Sequence, residues 1–198
     1  MAGSNNGFQV ALSMALPILY FNVPGLGNSG PAHWQTYFEQ TEPAFTRIAQ
    51  REWDSPDRAD WVAALDQALA GHDLSRVVLV AHSLGCATIA HWAAAHRHVI
   101  KGAFLVAPSD VETAHYAAFP TTGFAPMPLQ RLPFPSVVVA STNDEWVTSD
   151  RARQFAHAWG SEVVDIGAAG HINAASSYGD WPTGLAMLRE WVGKQEKA

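Results

Sequence analysis

The sequence predicts an α/β fold, with a single, mostly parallel, doubly wound sheet of about six strands flanked by helices. Short β-branched runs alternate with helical segments along nearly the whole chain, as expected for consecutive βαβ units. The run 76–81 (RVVLVA) is of the type found in strands buried on both faces of a parallel sheet. The 198 residues are 48% hydrophobic and 15% charged, which suits one domain with a sizeable core.

The first half of the chain begins with a β-rich run at 18–23, which ends in the glycine-rich turn Pro24-Gly25-Leu26-Gly27-Asn28. A strand followed by such a turn is typical of the start of a βαβ unit. Residues 31–40 can form the following helix, and 46–50 form a short strand.

The next helix is indicated by Ser55-Pro56-Asp57, where Ser55 can cap the helix and Pro56 can take its first position. Trp61, Leu65 and Leu69 then recur at helical spacing, and the helix ends before Gly71.

The second half continues the same alternation. The buried strand 76–81 is followed by a helix over 84–96. The later strands are predicted at 100–107, 136–141 and 162–166, and the later helices at 149–159, before Gly160, and at 182–192.

No internal repeat or linker divides the chain, and we predict one domain with a core over 17–193 and an N-terminal extension over 1–16. The apolar run 8–21 has the hydropathy of a signal peptide, but no Lys or Arg precedes Arg47 and Pro17 interrupts the run. No segment has the ~18 uninterrupted apolar residues of a membrane span. We therefore expect a cytoplasmic protein.

The formal net charge of −6 disfavours binding to nucleic acid or to an anionic membrane surface. The single cysteine, Cys86, excludes an internal disulfide and is expected to pack as a small hydrophobe. His91, His96 and His98 lack the i, i+4 spacing of a helical metal pair. We expect no metal ion and no cofactor.

The motif Ala81-His82-Ser83-Leu84-Gly85 lies between the predicted buried strand and the next helix. A sharp strand-to-helix turn of this type, a nucleophile elbow, lifts a serine hydroxyl clear of the sheet beside the positive end of the helix. It requires small residues two before and two after the serine, here Ala81, where Gly is usual, and Gly85. A serine on such a turn can also be an ordinary helix cap, so its partners decide the interpretation.

A nucleophilic serine needs a base that a third group orients. In folds with a nucleophile elbow, these partners follow in the order Ser, acid, His. Asp144 follows the strand 136–141, and His171 follows the strand 162–166. We predict Ser83 as nucleophile, His171 as general base and Asp144 as the orienting acid, with the neighbouring Glu145 as the alternative acid.

Acyl chemistry also needs N–H groups that stabilise an oxyanion. We predict those of Leu84, directly after Ser83, and of Leu26, in the loop after the first strand. The sequence Gly25-Leu26-Gly27-Asn28 also has features of a phosphate loop, but no Lys follows it. A nucleotide site is therefore not expected.

Candidate substrate contacts are His33, near the first loop, His82, directly before Ser83, and Trp146, just after the acid. A structural role is the alternative for His33 and for His82. The long irregular segment 108–135 carries aromatic residues and prolines that either line an acyl pocket or pack over the sheet.

These motifs resemble the small α/β-hydrolase family typified by retinoblastoma-binding protein 9 and the bacterial YdeN proteins. The resemblance runs from about residue 18 to residue 192. It is carried by Val23-Pro24-Gly25, His33-Trp34-Gln35, Trp53-Asp54-Ser55-Pro56, the HSLG elbow, Leu132-Pro133-Phe134-Pro135, Ser141-Thr142-Asn143-Asp144 and Gly170-His171-Ile172-Asn173.

The resemblance implies a compact α/β-hydrolase fold without a large lid, and a triad of Ser83, Asp144 and His171. The family's eponymous partner is engaged through an L-x-C-x-E pattern. The nearest match, Leu84-Gly85-Cys86-Ala87-Thr88, lacks the acid, so a retinoblastoma-type partner is not expected.

The resulting hypothesis is a serine hydrolase of the esterase type that cleaves a small carboxylic ester, thioester or amide through an acyl-enzyme. Its partner would be a small acyl substrate. A binding or regulatory protein on the same scaffold, and an acyltransferase that uses the same triad, are the alternatives. The sequence does not indicate an oligomeric state.

Overall fold

A computed structural model describes residues 16–196, in which six parallel strands form one sheet flanked by five α-helices. The predicted α/β fold is confirmed. The strands are β1 (Leu19–Val23), β2 (Phe45–Arg47), β3 (Val77–His82), β4 (Gly102–Val106), β5 (Ser136–Ala140) and β6 (Glu162–Asp165). The helices are α1 (Trp34–Thr41), α2 (Arg58–Leu69), α3 (Leu84–His96), α4 (Ser149–Trp159) and α5 (Pro182–Gln195).

The start of α2 differs from the prediction. The helix begins at Arg58, and its N-cap is Asp57, whose side chain accepts hydrogen bonds from the N–H groups of Ala59 and Asp60. Ser55 and Pro56 therefore precede the helix, because a carboxylate that accepts two amide bonds is the better cap at this position. Residues 1–15 lie outside the described residues. They include the predicted N-terminal extension up to residue 15 and the first part of the apolar run 8–21.

The order of strands across the sheet is β2-β1-β3-β4-β5-β6, and every neighbouring pair is parallel. The chain moves from β1 outward to β2, then returns past β1 to β3 and continues to the other edge. Winding therefore reverses between β1 and β3. In open α/β sheets such a reversal opens a crevice at the carboxyl ends of the two strands, and ligands bind there.

The helices cover both faces of the sheet. On one face, side chains of α2, α3 and α4 pack together in a core that includes Trp61 and Phe155. On the other, α1 and α5 contribute Trp34 and Leu188 to a second core. Cys86 is fully buried in the first core, as expected for a packing residue, and burial raises the pKa of its thiol. No helix among residues 16–196 combines the length and the apolar character that a membrane span requires.

The N-terminal turn of α3 crosses the end of β1 so closely that only glycine fits at position 85. A Cβ atom on Gly85 would lie 2.1 Å from the carbonyl oxygen of Val23 and 2.9 Å from that of Pro24. Both obstacles are backbone atoms, so neither can move away without displacing the loop after β1.

We expect Gly85→Ala to destabilise the protein by about 3 kcal/mol or more, because overpacking against backbone cannot be relieved by a rotamer change. Urea unfolding of the two proteins measures the difference. Gly30→Ala is the matched control, since an added Cβ on Gly30 meets no atom within 4 Å. Equal unfolding midpoints for the two variants would contradict the close crossing.

Candidate active site

Ser83 occupies the turn between β3 and α3, with φ 56° and ψ −124°. A non-glycine residue in this region carries strain of order 1–3 kcal/mol, which the surrounding structure must offset. The Ser83 N–H donates to the carbonyl oxygen of Val106 on the neighbouring strand (3.0 Å). On its other side Gly25 packs so closely that an added Cβ would lie 2.8 Å from Ser83 Cβ. These contacts fix the serine in the conformation of a nucleophile elbow.

The structure brings Ser83, His171 and Asp144 together in one chain of hydrogen bonds. His171 Nε2 lies 2.9 Å from Ser83 Oγ, and His171 Nδ1 lies 3.0 and 2.9 Å from the two oxygens of Asp144. The Asp144 side chain is fully buried, whereas Glu145, the alternative acid, is exposed. Asp144 is therefore the carboxylate that contacts the imidazole.

The protons in this chain can be assigned from the partners. A carboxylate only accepts hydrogen bonds, so His171 Nδ1 carries a proton and donates it to Asp144. In the neutral ring Nε2 is then an acceptor, which receives the hydrogen bond of the Ser83 hydroxyl. This is the tautomer that can remove a proton from a serine.

Ser109, a buried residue after β4, also contacts Ser83 and was not among the residues predicted from the sequence. Its Oγ lies 2.8 Å from Ser83 Oγ. Because the Ser83 proton points to His171, the Ser109 hydroxyl donates to the Ser83 oxygen. Ser109 therefore holds the Ser83 oxygen in place through a hydrogen bond.

A second set of polar residues joins the loop that carries Asp144 to the loop that carries His171. The Ala169 N–H donates to Ser141 Oγ (3.0 Å), and the Gly170 N–H donates to Asn143 Oδ1 (2.7 Å). The Ser141 hydroxyl in turn donates to the same Asn143 oxygen (2.9 Å). These bonds fix the spacing between the acid and the base. Their only signal in the sequence is the polar run just before Asp144.

His82 and His33 line the same cleft as Ser83 and His171. His82 Nε2 donates to the carbonyl oxygen of His171 (2.9 Å), so it holds the backbone of the candidate base. Burial lowers the pKa of His82 well below its ordinary range. Burial, with the nearby Arg47 and His171 as smaller causes, lowers the pKa of His33 to about 3.

These lowered pKa values make stability depend on pH. Above about pH 6.5 the two histidines are neutral in both the folded and the unfolded chain and contribute no slope. Below about pH 6.5 the two histidines bind protons in the unfolded chain but stay neutral in the folded chain. We therefore expect the free energy of unfolding to fall by about 2.7 kcal/mol for each unit by which the pH is lowered. Urea unfolding at several pH values down to about pH 4 measures the slope.

His33→Asn removes one of these two groups and is expected to reduce the slope by about 1.4 kcal/mol per pH unit. His157→Gln, the replacement of an exposed histidine on α4, is the control variant. A slope that is the same in His33→Asn as in the parent protein would show that His33 titrates normally.

The cleft above Ser83 has a volume of about 230 Å³. Its walls include Leu26 from the loop after β1, Trp146, and Tyr116 and Phe119 from the segment 108–135. Tyr116 is also buried in the core. The second half of the segment packs there too, with Phe124 edge-on against Trp61 at a centroid distance of 5.9 Å. The segment 108–135 therefore both lines the cleft and packs over the sheet.

The two N–H groups predicted to stabilise an oxyanion, those of Leu26 and Leu84, have different surroundings. The Leu26 N–H donates to no acceptor within residues 16–196, and Leu26 borders the cleft. Leu84 is the first residue of α3, where an N–H has no acceptor within its own helix. An ideal Cβ on Gly25 would be 3.2 Å from this nitrogen, so the loop after β1 lies directly against it.

The sequence pattern of the serine hydrolase family matches residues 20–190. The chain belongs to this family. No curated protein matches the chain significantly. Among solved structures, a YdeN-like hydrolase from Pectobacterium atrosepticum is 34% identical, with a TM-score of 0.78 over 90% of this chain and 92% of the other. This agrees with the resemblance found in the sequence.

More distant structures share the fold of this serine hydrolase. The ydeN gene product of B. subtilis has a TM-score of 0.76 at 17% identity, over 89% of this chain and 99% of the other. The protein Est1E from Butyrivibrio proteoclasticus, solved with ferulic acid bound, has a TM-score of 0.66 at 14% identity, over 91% and 90% of the two chains. They establish the α/β-hydrolase architecture.

Proposed function

We propose that this serine hydrolase cleaves carboxylic esters, or the related thioesters and amides, of small acyl groups through an acyl-enzyme on Ser83. One observation carries the proposal: the hydrogen-bonded chain from Ser83 through His171 to the buried Asp144. A catalytic serine requires a base within hydrogen-bond reach and an acid that orients the base. Both requirements are met at the bottom of a cleft.

The reaction begins when the substrate carbonyl lies above Ser83. His171 Nε2 takes the hydroxyl proton while Oγ forms a bond to the carbonyl carbon, and the N–H groups of Leu26 and Leu84 donate to the developing oxyanion. The C–O bond to the leaving alcohol then breaks, and His171 gives that alcohol the proton. A water molecule then attacks the acyl-enzyme while His171 takes its proton. The bond to Ser83 breaks, His171 returns the proton to Ser83, and the carboxylic acid is released.

The size of the cleft supports a small acyl group. Its volume of about 230 Å³ lies below the range usual for sites that bind drug-sized ligands. Phe119 and Trp146, whose ring centroids are 5.2 Å apart, form an aromatic wall. Trp146 is also 5.9 Å from the His171 ring, so an acyl chain can reach this wall.

His33 supplies a polar contact in this proposal. Its Nδ1 accepts a hydrogen bond from the Gln35 N–H (3.2 Å), so the neutral ring carries its proton on Nε2. That atom is buried and has no partner within residues 16–196, although an unpaired buried donor is costly. We infer that Nε2–H donates to an oxygen of the bound substrate.

His33→Asn is the matched test of this contact, because asparagine keeps an acceptor for the Gln35 N–H at the start of α1 but does not extend to the position of Nε2. We expect kcat/KM to fall about tenfold, as for the loss of one hydrogen bond, with stability at neutral pH changed by less than about 1 kcal/mol. An unchanged kcat/KM for every ester tested would exclude the contact.

A series of p-nitrophenyl esters tests the proposed activity. We expect kcat/KM to be highest for acetate and butyrate, lower for octanoate and negligible for palmitate. A fluorophosphonate probe should label the protein once. If neither the esters nor the probe reacts, the chain is a binding protein on a hydrolase scaffold.

A further inference from the structure

Three potential metal ligands meet on the surface at the far end of α3 from Ser83. Asp66 lies on α2, His96 is the last residue of α3, and His98 follows two residues later. Asp66 Oδ1 lies 3.4 Å from His96 Nδ1 and 3.6 Å from His98 Nε2. One ligand atom from each residue lies within 4.8 Å of the other two. We refer to these residues as the Asp66–His96–His98 cluster.

The local backbone explains how two histidines only two positions apart point the same way. Arg97 caps α3 in the left-handed conformation (φ 54°, ψ 25°), which reverses the chain between them. The rings of His96 and His98 consequently stack, at 14° between planes and 5.8 Å between centroids.

The third ligand is also held in place. The indole N–H of Trp92, a buried residue of α3, donates to Asp66 Oδ1 (2.9 Å). Hydrogen bonds of this kind orient the carboxylate ligands of metal sites. The side chains of the cluster are between 33% and 46% exposed, so an ion can enter from solvent.

The distances fit an ion better than they fit direct hydrogen bonds. At 3.4 and 3.6 Å the two contacts are too long for good N–H···O bonds. They are close to the edge of about 3.4 Å that ligand atoms share in a tetrahedral zinc site with bonds near 2.1 Å. Two imidazoles with one carboxylate favour zinc-type ions over Ca²⁺ or Mg²⁺, which prefer oxygen ligands alone.

We propose that Asp66, His96 and His98 bind one divalent transition-metal ion of the zinc type, with water completing the tetrahedron. The ion joins α2 to the end of α3. The helix α3 has 13 residues and is about 20 Å long, so the ion lies far from the triad. Its role is structural, and binding should stabilise the folded chain.

This site was not predicted from the sequence, because the spacing of the histidines along one helix was the only criterion available. The decisive ligand comes from a different helix. His91, the third histidine of this region, is not part of the cluster, since its Nε2 donates to the carbonyl oxygen of Phe124 (2.8 Å).

Isothermal titration of the untagged full chain with Zn²⁺ tests the proposal. We expect one ion per chain and a higher melting temperature in the presence of Zn²⁺. His96→Gln/His98→Gln should weaken binding at least ~100-fold and lose the thermal shift, because removing a ligand costs more than removing its supporting partner. Asp66→Asn, which keeps an acceptor for Trp92, should also weaken binding.

His157→Gln is the control, and it should bind Zn²⁺ with the affinity of the parent protein. Melting curves recorded without metal check that each variant is folded. Absence of saturable Zn²⁺ binding to the parent protein would overturn the proposal. Equal affinity in the double variant would do the same, since the ion would then lie elsewhere.

Discussion

Ser83→Ala is expected to lower kcat for p-nitrophenyl butyrate by about 10⁶-fold, because the nucleophile and its base act as one unit. It should also abolish covalent labelling by a fluorophosphonate. The fold should persist, since the strained backbone of Ser83 is fixed by Val106 and Gly25 rather than by its hydroxyl. Mass spectrometry measures the labelling, and a far-UV circular dichroism spectrum shows whether the fold persists.

Ser109→Ala is the matched control for this experiment. It removes a hydroxyl 2.8 Å from the same oxygen but leaves the nucleophile in place. We expect labelling to persist at a lower rate, with kcat/KM reduced about tenfold. If labelling survives in Ser83→Ala and disappears in Ser109→Ala, the nucleophile is Ser109 and the assignment to Ser83 is wrong.

Asp144→Asn should lower kcat by about 10⁴-fold. The amide is nearly the same size as the carboxylate, so packing in this fully buried position is kept. An asparagine N–H₂ that faces His171 favours the tautomer with its proton on Nε2, which cannot accept the Ser83 proton. Steady-state kinetics at neutral pH measure the loss.

Glu145→Gln provides the comparison, because Glu145 is the adjacent residue and is exposed. We expect its kcat to stay within about twofold of the parent value, as for a surface substitution. If instead the Glu145 variant loses activity and the Asp144 variant keeps it, the acid of the triad has been misassigned.

The meeting of Ser83, Asp144 and His171 could be predicted because each follows a strand of the same parallel sheet. Parallel strands all end at the same edge of a sheet, so chain order alone brings the three residues to one side. Gly25 and Gly85 likewise indicated the close approach of the loop after β1 to the start of α3, since a close backbone crossing admits no side chain.

Contacts that depend on the path of a loop or on the packing of two helices could not be predicted in this way. The bond from Ser109 to Ser83 depends on the path of the loop after β4, and the Asp66–His96–His98 cluster depends on how α2 is rotated against α3. Neither property has a periodic signature in the sequence. The cap at Asp57 was missed because Ser55-Pro56 gives an equally good local signal two residues earlier.

In the segment 108–135, a residue that shapes the cleft can be changed separately from the residues that support the sheet. Phe119 lines the cleft and is half-buried. Tyr116 also lines the cleft, but it is buried in the same core as Phe124 and Met127. Directed evolution of this hydrolase toward new substrates would do best to randomise 117–119 and to leave Tyr116 and 124–134 intact.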